Sequence, residues 1–446
     1  MEHPEYQDLK NTEIPWIKPI PQHWEVKKFR FLFSFGRGLG ITKKDLKDDG
    51  VPCINYGEIH SKYGFEVIPG KHELKCVPEI YLESDPRSLL KEGDFVFADT
   101  SEDLEGSGNF SYLNSNIPTF AGYHTVIARL QTEDHPRYIA YLFDSLPYRH
   151  QIRISVSGVK VFSVTQEILK NSYILLPPKE EQGRIVEFLD NKTSKIDQLI
   201  EKKNVLIEKL NEQRIAIITQ AVTKGLDKNV KMKSSSVDWL GDVPEHWEVK
   251  AVKRICMVSR GASPRPIQNP KYFDEEGQYA WVRIADVTAN DHYLKRTTQR
   301  LSELGKSFSV PLEPGSLFLS IAGSVGKPMI TEIKCCIHDG FVYFPYLRSN
   351  PEFLYYIFLG GQCYLGLGKL GTQLNLNTDT VGAIKIGVPP EKEQEEIIDF
   401  LNVEMKRIDL MVEKVNSAIA LIMEYRSALI TDTVTGKIDV RSIELA

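Results

Sequence analysis

Gly323-Ser324-Val325-Gly326-Lys327-Pro328 is the stretch nearest to a phosphate-gripping loop. Such a loop needs four residues between its glycines, so that successive N–H groups wrap the phosphates, and a Ser or Thr after the Lys to hold magnesium. Here two residues separate the glycines and Pro follows the Lys. Asn269-Pro270-Lys271-Tyr272 approaches the Asn-Pro-Pro-aromatic pattern of amino-methyltransferases, but it lacks the second Pro and follows no strand with a Gly-rich cofactor turn. His23-Trp24 and His246-Trp247 set imidazole beside indole without a second ligand type nearby, which suits a structural hydrogen-bonder. The six cysteines (Cys53, Cys76, Cys256, Cys335, Cys336, Cys363) form no Cys-x-x-Cys pair and are expected to be reduced core or surface thiols. The expected chemistry is therefore recognition, with no catalytic, cofactor or metal residues in this chain.

The elements that must position recognising side chains occur twice. Ile20-Pro21-Gln22-His23-Trp24-Glu25-Val26-Lys27 returns as Val243-Pro244-Glu245-His246-Trp247-Glu248-Val249-Lys250, and Pro177-Pro178-Lys179-Glu180-Glu181-Gln182 returns as Pro389-Pro390-Glu391-Lys392-Glu393-Gln394. Trp16 precedes Trp24 by the same step that separates Trp239 from Trp247, and these Trp pairs are expected to be packing anchors. The chain is thus an internal duplication. Its divisions are a lead-in (1–25), a first body (26–178), a long helix (179–222), a linker and repeated lead-in (223–248), a second body (249–390), a second long helix (391–434) and a tail (435–446).

Both bodies read as strand-rich α+β. Val51 to Tyr56, Gly93 to Ala98 and Thr125 to Leu130 have strand composition bounded by turn residues, and a short helix follows Pro136. Ala280 to Ile284 matches the strand at Cys53, Gly315 to Leu319 matches Gly93 onwards, and Pro351 to Tyr356 matches Pro136 onwards. The frame repeats while the loops do not.

Leu401, Ile408, Val415, Ile422 and Leu429 make an unbroken seven-residue seam; the first copy has Leu189, Ile196, Lys203, Leu210 and Ile217. Each helix of about 44 residues would be about 66 Å long. The simplest partner for each stripe is its own repeat, which predicts two antiparallel helices forming a coiled coil about a pseudo-twofold axis. Lys203 breaks the first seam, and a carboxylate of the second helix is its expected partner.

The net charge of -5 argues against a simple basic DNA sponge. Its distribution is more telling, because residues 249–390 hold 16 Lys/Arg against 11 Asp/Glu and residues 391–434 hold 5 against 10. The acidity belongs to one helix, whose Glu391, Glu393, Glu395, Glu396, Glu404 and Glu413 suit protein contact or solvation better than phosphate. No run of eighteen apolar residues occurs, and Met1-Glu2-His3-Pro4 opens neither a signal peptide nor a membrane span, so a cytoplasmic protein without membrane attachment is expected.

Trp239-Leu240-Gly241-Asp242-Val243-Pro244-Glu245-His246-Trp247, both Pro-Pro-x-x-x-Gln helix openings, and the exits Val222-Thr223-Lys224-Gly225 and Val434-Thr435-Gly436-Lys437 together resemble the specificity subunit of a type I restriction-modification system. The resemblance covers nearly the whole chain. It implies two target recognition domains, each reading one half of a split site on double-stranded DNA, held apart by two helices that act as a ruler. It also implies assembly with two modification (methyltransferase) subunits and with restriction (ATP-dependent translocase/nuclease) subunits. S-adenosylmethionine, ATP and Mg would sit on those partners and methylation of adenine would take place there. One departure is that the second body has Gly371-Thr372 before its exit strand where the first has Val159-Lys160. The competing reading is a non-catalytic coiled-coil adaptor with two protein-binding lobes.

Under that resemblance each body presents loops to the major groove, where amide, guanidinium and carboxylate side chains distinguish the base pairs, and the candidate DNA contacts are taken from those loops. In the first body these are Arg37, Lys43, Lys44, Asn55, Tyr56 and Lys160; in the second they are Arg260, Arg265, Arg283, Lys327, Thr372, Gln373 and Asn375. Lys43, Lys44 and Lys327 suit phosphates better than bases.

Overall fold

The computed structural model describes residues 4–14, 17–158, 160–367 and 376–444. It divides into two units, residues 1–202 with 417–446 and residues 203–416, so the division falls inside both long helices rather than at their starts. The helices run Lys179–Lys224 and Glu391–Val434.

In the first unit the sequence alternates for two cores. Phe95 and Phe97 on the strand Phe95–Ala98 face the core that contains Phe143, while Val96 and Ala98 face a second core with Ile54, Ile59, Val67 and Leu113. Period-two alternation with apolar residues on both faces makes this sheet a middle layer. Its order is Phe33–Arg37, Thr125–Leu130, Phe95–Ala98, Phe110–Leu113, Glu66–Val67, antiparallel except for the last pair. One face carries the helix Pro136–Asp144, whose Phe143 ring lies 5.0 to 5.6 Å from those of Phe95, Phe97, Phe110 and Phe29. The other carries a four-stranded sheet of order Cys76–Val77, Val51–Ile54, Thr119–Ala121, Leu89–Leu90. Burial of these rings contributes about 2 to 3 kcal/mol each.

The second unit repeats this plan strand for strand. Its five-stranded order is Ser259–Arg260, Phe341–Tyr343, Leu317–Ser320, Pro328–Thr331, Tyr293–Leu294, and its four-stranded order is Gln299–Leu301, Tyr279–Val282, Cys335–Ile337, Val310–Leu312. The parallel pairs fall in the same places, between the inner strands of the smaller sheet and at one edge of the larger. Leu317 and Leu319 face the helix-side core and Phe318 the other. This is the α+β duplication expected.

The repeated motifs are joints between body and helix. Gln182 is fully buried; its Oε1 accepts from the His135 N–H at 2.7 Å, and its amide donates to the Pro177 carbonyl at 3.0 Å and to Asp134 at 2.8 Å. Gln394 does the same with the Asn350 N–H at 3.1 Å and the Pro389 carbonyl at 2.9 Å. Tyr141 donates to Asp190 at 2.5 Å, and Tyr356 donates to Asn402, 212 positions after Asp190, at 2.6 Å. Trp24 and Trp247 are fully buried, as packing anchors should be, while Trp239 is half-buried and donates to the Lys385 carbonyl. Trp16 lies outside the described residues. His23 and His246 each lie 2.7 Å from a helix carboxylate, Glu181 and Glu393. The expected structural role of both imidazoles is thus met, whereas Glu393, anticipated as an exposed acid, is occupied within the chain.

Within each unit the helix segments lie antiparallel. Asp197 pairs with Arg426 at 3.0 Å in the first unit, and Arg214 pairs with Asp409 in the second. Arg426 stands 212 positions after Arg214, as Asp409 does after Asp197, so one ion pair is made twice by opposite members of the repeat. The seam is deepest at Leu189 and Leu401, both fully buried, and only half-buried at Lys203, Val415 and Ile422. Among the described residues no carboxylate lies within ion-pair distance of Lys203. The expected partner is not needed, because half-exposure leaves its ammonium solvated.

The first unit also joins both ends of the chain: the Asp439 N–H donates to the Pro4 carbonyl at 2.8 Å, and the Arg441 guanidinium covers the Tyr6 ring at 4.8 Å. Among the described residues no helix is long and apolar enough to cross a membrane.

Candidate nucleic-acid interface

Three loops meet beside the inner strands of each body. In the first, the Gly36–Gly40 turn, the Asn55–Gly57 corner and the Gly122–Thr125 turn are tied by Leu39 N–H to Ala121 O (2.8 Å), Gly122 N–H to Ile54 O (2.7 Å) and the Thr125 hydroxyl to Gly122 O (2.7 Å). Glycine is required at two of these contacts. A Cβ on Gly38 would stand 1.9 Å from the Gly122 carbonyl oxygen, and one on Gly122 would stand 1.9 Å from Asn55 Oδ1. The second body closes its loops the same way, with Gly261 N–H to Phe341 O at 2.9 Å and Ala262 N–H to Ile337 O at 3.2 Å.

The loops carry unlike side chains. In the first body Arg37 is exposed at the end of its strand and lines a cleft of about 570 Å³ together with Arg87, Lys91 and Arg129. Arg129 is committed to buried Asp94 (3.1 Å) and to the Arg87 and Leu89 carbonyls, and burial raises the Asp94 carboxyl despite that guanidinium. Among the described residues the Arg37 guanidinium has no such partner. Lys43 and Lys44 are exposed on a single turn capped by Thr42 and Asp45, and Lys160 is exposed. Tyr56 is half-buried, with its ring edge-on to Tyr123 and His124 at 5.5 and 5.4 Å.

Asn55 departs from its expected place. It is 2% exposed, and its amide donates to Glu58 at 3.1 Å and to the Cys53 carbonyl at 3.4 Å. A short polar side chain at a helix start satisfies local backbone and carboxylate groups more readily than it reaches outward. Lys327 is likewise engaged: it donates to the Asn290 carbonyl at 3.0 Å and burial lowers its pKa, so its expected service to phosphate gives way to an internal bond.

In the second body the candidate arginines are engaged within the chain, two of them at Asp339. The Arg260 Nε donates to the Asp339 carbonyl oxygen at 2.6 Å, and Arg265, 74% exposed, pairs with the Asp339 carboxylate at 2.9 Å. The Ser263 hydroxyl on that carboxylate, followed by the Asp339 backbone N–H and then Arg265, keeps it below the usual carboxylate range. His338 packs between Trp281 and Phe341, and its Nδ1 accepts from the Gly340 N–H at 2.8 Å, which places the proton of the neutral ring on Nε2. Arg283 begins the helix Ile284–Thr288, where its guanidinium donates to the Thr298 hydroxyl and its Nε lies 3.7 Å from buried Asp286. Thr372, Gln373 and Asn375, with Gly371 and Val159, lie outside the described residues.

Sequence reading missed Tyr123, His124, His338 and Asp339. They follow inner strands of the smaller sheets and reach the candidate loops only through parallel pairing across 67 residues of chain in the first body (Phe120 with Cys53) and 55 in the second (Cys336 with Trp281). Gly122 and Gly340 beside them were the available signal.

The fold and loops can be set beside known proteins. The family model for the type I restriction modification DNA specificity domain matches residues 21–209 and 244–420. A Methanocaldococcus jannaschii protein named as the type I restriction enzyme MjaVIII specificity subunit is 26% identical over 68% of this chain and 71% of its own. The EcoBI specificity subunit of Escherichia coli is 19% identical over 70% and 68%. Among solved structures, a chain from work on complex assembly and conformational transition of the type I R-M system superposes with a TM-score of 0.68 at 16% identity, covering 94% of this chain and 99% of that one. The HsdS subunit of Thermoanaerobacter tengcongensis superposes at 0.51 with 17% identity, covering 96% and 100%. With both halves matched by one model and the fold shared end to end, this chain belongs to the type I restriction-modification DNA specificity family.

Proposed function

We propose that the bodies 26–178 and 249–390 each read one half of a bipartite site on double-stranded DNA, through the major groove, and that the chain itself is non-catalytic. Two modification subunits and the restriction subunits would dock on it in the cytoplasm and carry S-adenosylmethionine, ATP and Mg. Adenine methylation on the partners needs the target base out of the stack, so this chain would position chemistry done elsewhere. The long helices would set the spacer between half-sites.

One observation carries this reading: two bodies of identical strand order, fixed by the same Gln, Tyr and His joints, present unlike loop side chains. A duplicated frame with divergent tips suits two related recognition tasks on unlike targets. Arg37, Lys43 and Lys44 supply phosphate-directed charge in one body, and arginines oriented by Asp339 and by Thr298 supply base-directed donors in the other. Mapping adenine methylation in cells with and without this gene tests it. Loss of a two-part motif is expected, and an unchanged methylome would reject it.

A further inference from the structure

The Arg283 site offers more than surface charge. Thr298 takes a hydrogen bond from Nη2, while Asp286, whose side chain is 3% exposed, faces Nε at 3.7 Å and also accepts from the Arg283 backbone N–H at 2.9 Å. Asp286 is itself fixed, accepting from the Thr298 N–H at 3.1 Å and hydroxyl at 3.2 Å. The guanidinium is thus held along its Nε side and at one corner. Nη1 has no protein partner among the described residues, and the side chain is 43% exposed in a cleft of about 910 Å³ walled by Trp281, Phe273 and Thr297. Nε is buried against Asp286 without a hydrogen bond and Nη2 gives one of its two N–H groups to Thr298, which leaves Nη1 and the second Nη2 N–H as the open end of the fork.

Two parallel N–H groups on a rigid plane match O6 and N7 of guanine in the major groove, the pairing that distinguishes G·C from the other base pairs. A side chain already ordered by Thr298 and Asp286 loses less freedom on binding than a free surface arginine. We propose that Arg283 is a specificity-determining residue that reads one guanine in the half-site of the second body, with Thr298 and Asp286 as positioning residues. This rests on the DNA-reading function above. The first body holds Asn55 at the equivalent corner, buried and spent on Glu58 and Cys53, so its base readers are not at this position.

The test is selection of duplexes from a randomised library by the full chain, followed by sequencing. The unsubstituted chain should enrich a split motif with one G·C pair in one half preferred by about 5- to 140-fold. Arg283→Gln should abolish that preference or turn it toward A·T, since a carboxamide pairs with adenine. Arg283→Lys should flatten it while preserving the charge, and Thr298→Val should weaken it partly. The other half-site should stay unchanged in all three. Retention of the same G·C preference in Arg283→Gln would overturn the proposal. Equal loss of both halves in Arg283→Gln and Arg283→Lys would overturn it too, because that marks a structural role. If the unsubstituted chain enriches no split motif, the DNA-reading function itself fails, and this assignment goes with it.

Discussion

Replacing Gln182 with Leu tests whether the repeated Pro-Pro-x-x-x-Gln motif is a joint rather than a sequence coincidence. Leu nearly preserves volume, so the cavity penalty is small and the loss is in hydrogen bonding. The Pro177 carbonyl, in a buried residue, loses the Gln182 amide, and the His135 N–H loses its acceptor. The link to Asp134 is half-exposed, and water replaces it at little cost. At about 1 to 3 kcal/mol for each group left unsatisfied, and with solvent reaching the His135 side, the local cost is about 2 to 4 kcal/mol. Hydrogen exchange resolved by peptide is the suitable assay, because a chain of two units need not unfold in one step. Amides of the helix Pro136–Asp144 and of the first turns after Lys179 should exchange about 30- to 700-fold faster. Gln394→Leu should give the same increase in Pro351–Gly360 while leaving Pro136–Asp144 unchanged. An acceleration below about fivefold in both variants would refute the joint, since it would mean that water already serves these groups.

Four further outcomes follow from the same structure. Lys43→Ala and Lys44→Ala should each lower the slope of log affinity for duplex DNA against log salt by about 0.9 without changing the selected sequence, whereas a change of sequence would place them among base contacts. All six thiols are buried, and burial pushes Cys256, Cys335, Cys336 and Cys363 up to about 12, so at pH 8 the native chain should react negligibly with a thiol-disulfide reagent until it is unfolded. Burial lowers the His338 pKa, so the unfolded chain binds the extra proton; the stability that His338 confers is complete above about 6.5 and declines as pH falls toward the folded value. Thermal unfolding should therefore show acid destabilisation that is smaller in His338→Phe. Removing seven residues from each long helix should shorten each by about 10 Å and reduce the methylated motif's spacer by about three base pairs; an unchanged spacer with full activity would reject the ruler.

The frame was legible because it is written in local patterns and then written again. Trp24 and Trp247, Gln182 and Gln394, and the seam through Leu401 and Ile408 declare themselves by type and spacing, and each proved to be buried packing or a buried hydrogen bond. The candidate site was less legible for a physical reason. Lys327 turns inward through a hydrogen bond to Asn290, 37 residues away, which no periodicity encodes, whereas Asn55 is held by Glu58 three residues on, a local helix-start pairing whose spacing was a readable signal. Arg260, Arg265 and Arg283 looked alike as loop cations. Only the sheet order brings Asp339 to the first two, and only a 15-residue return brings Thr298 to the third.

The separation of frame from tips has an energetic basis. Each joint draws its stability from groups on the helix side of the middle sheet: Tyr141 with Asp190, Gln182 with Pro177 and His135, and Tyr356 with Asn402. The loop side of the sheet closes on its own hydrogen bonds and on glycines that permit close approach, such as Gly38, Gly122 and Gly261. Groups that share no partner contribute almost additively. A substitution at Arg37 or Arg265 therefore changes what the tip can bind without loosening the joint, and a substitution at Gln182 or Tyr356 loosens the joint without changing the tip. That independence lets one frame serve twice in the same chain with unlike loops. It also identifies Asn55, which is part of the loop closure, as a position where substitution costs stability before it changes recognition.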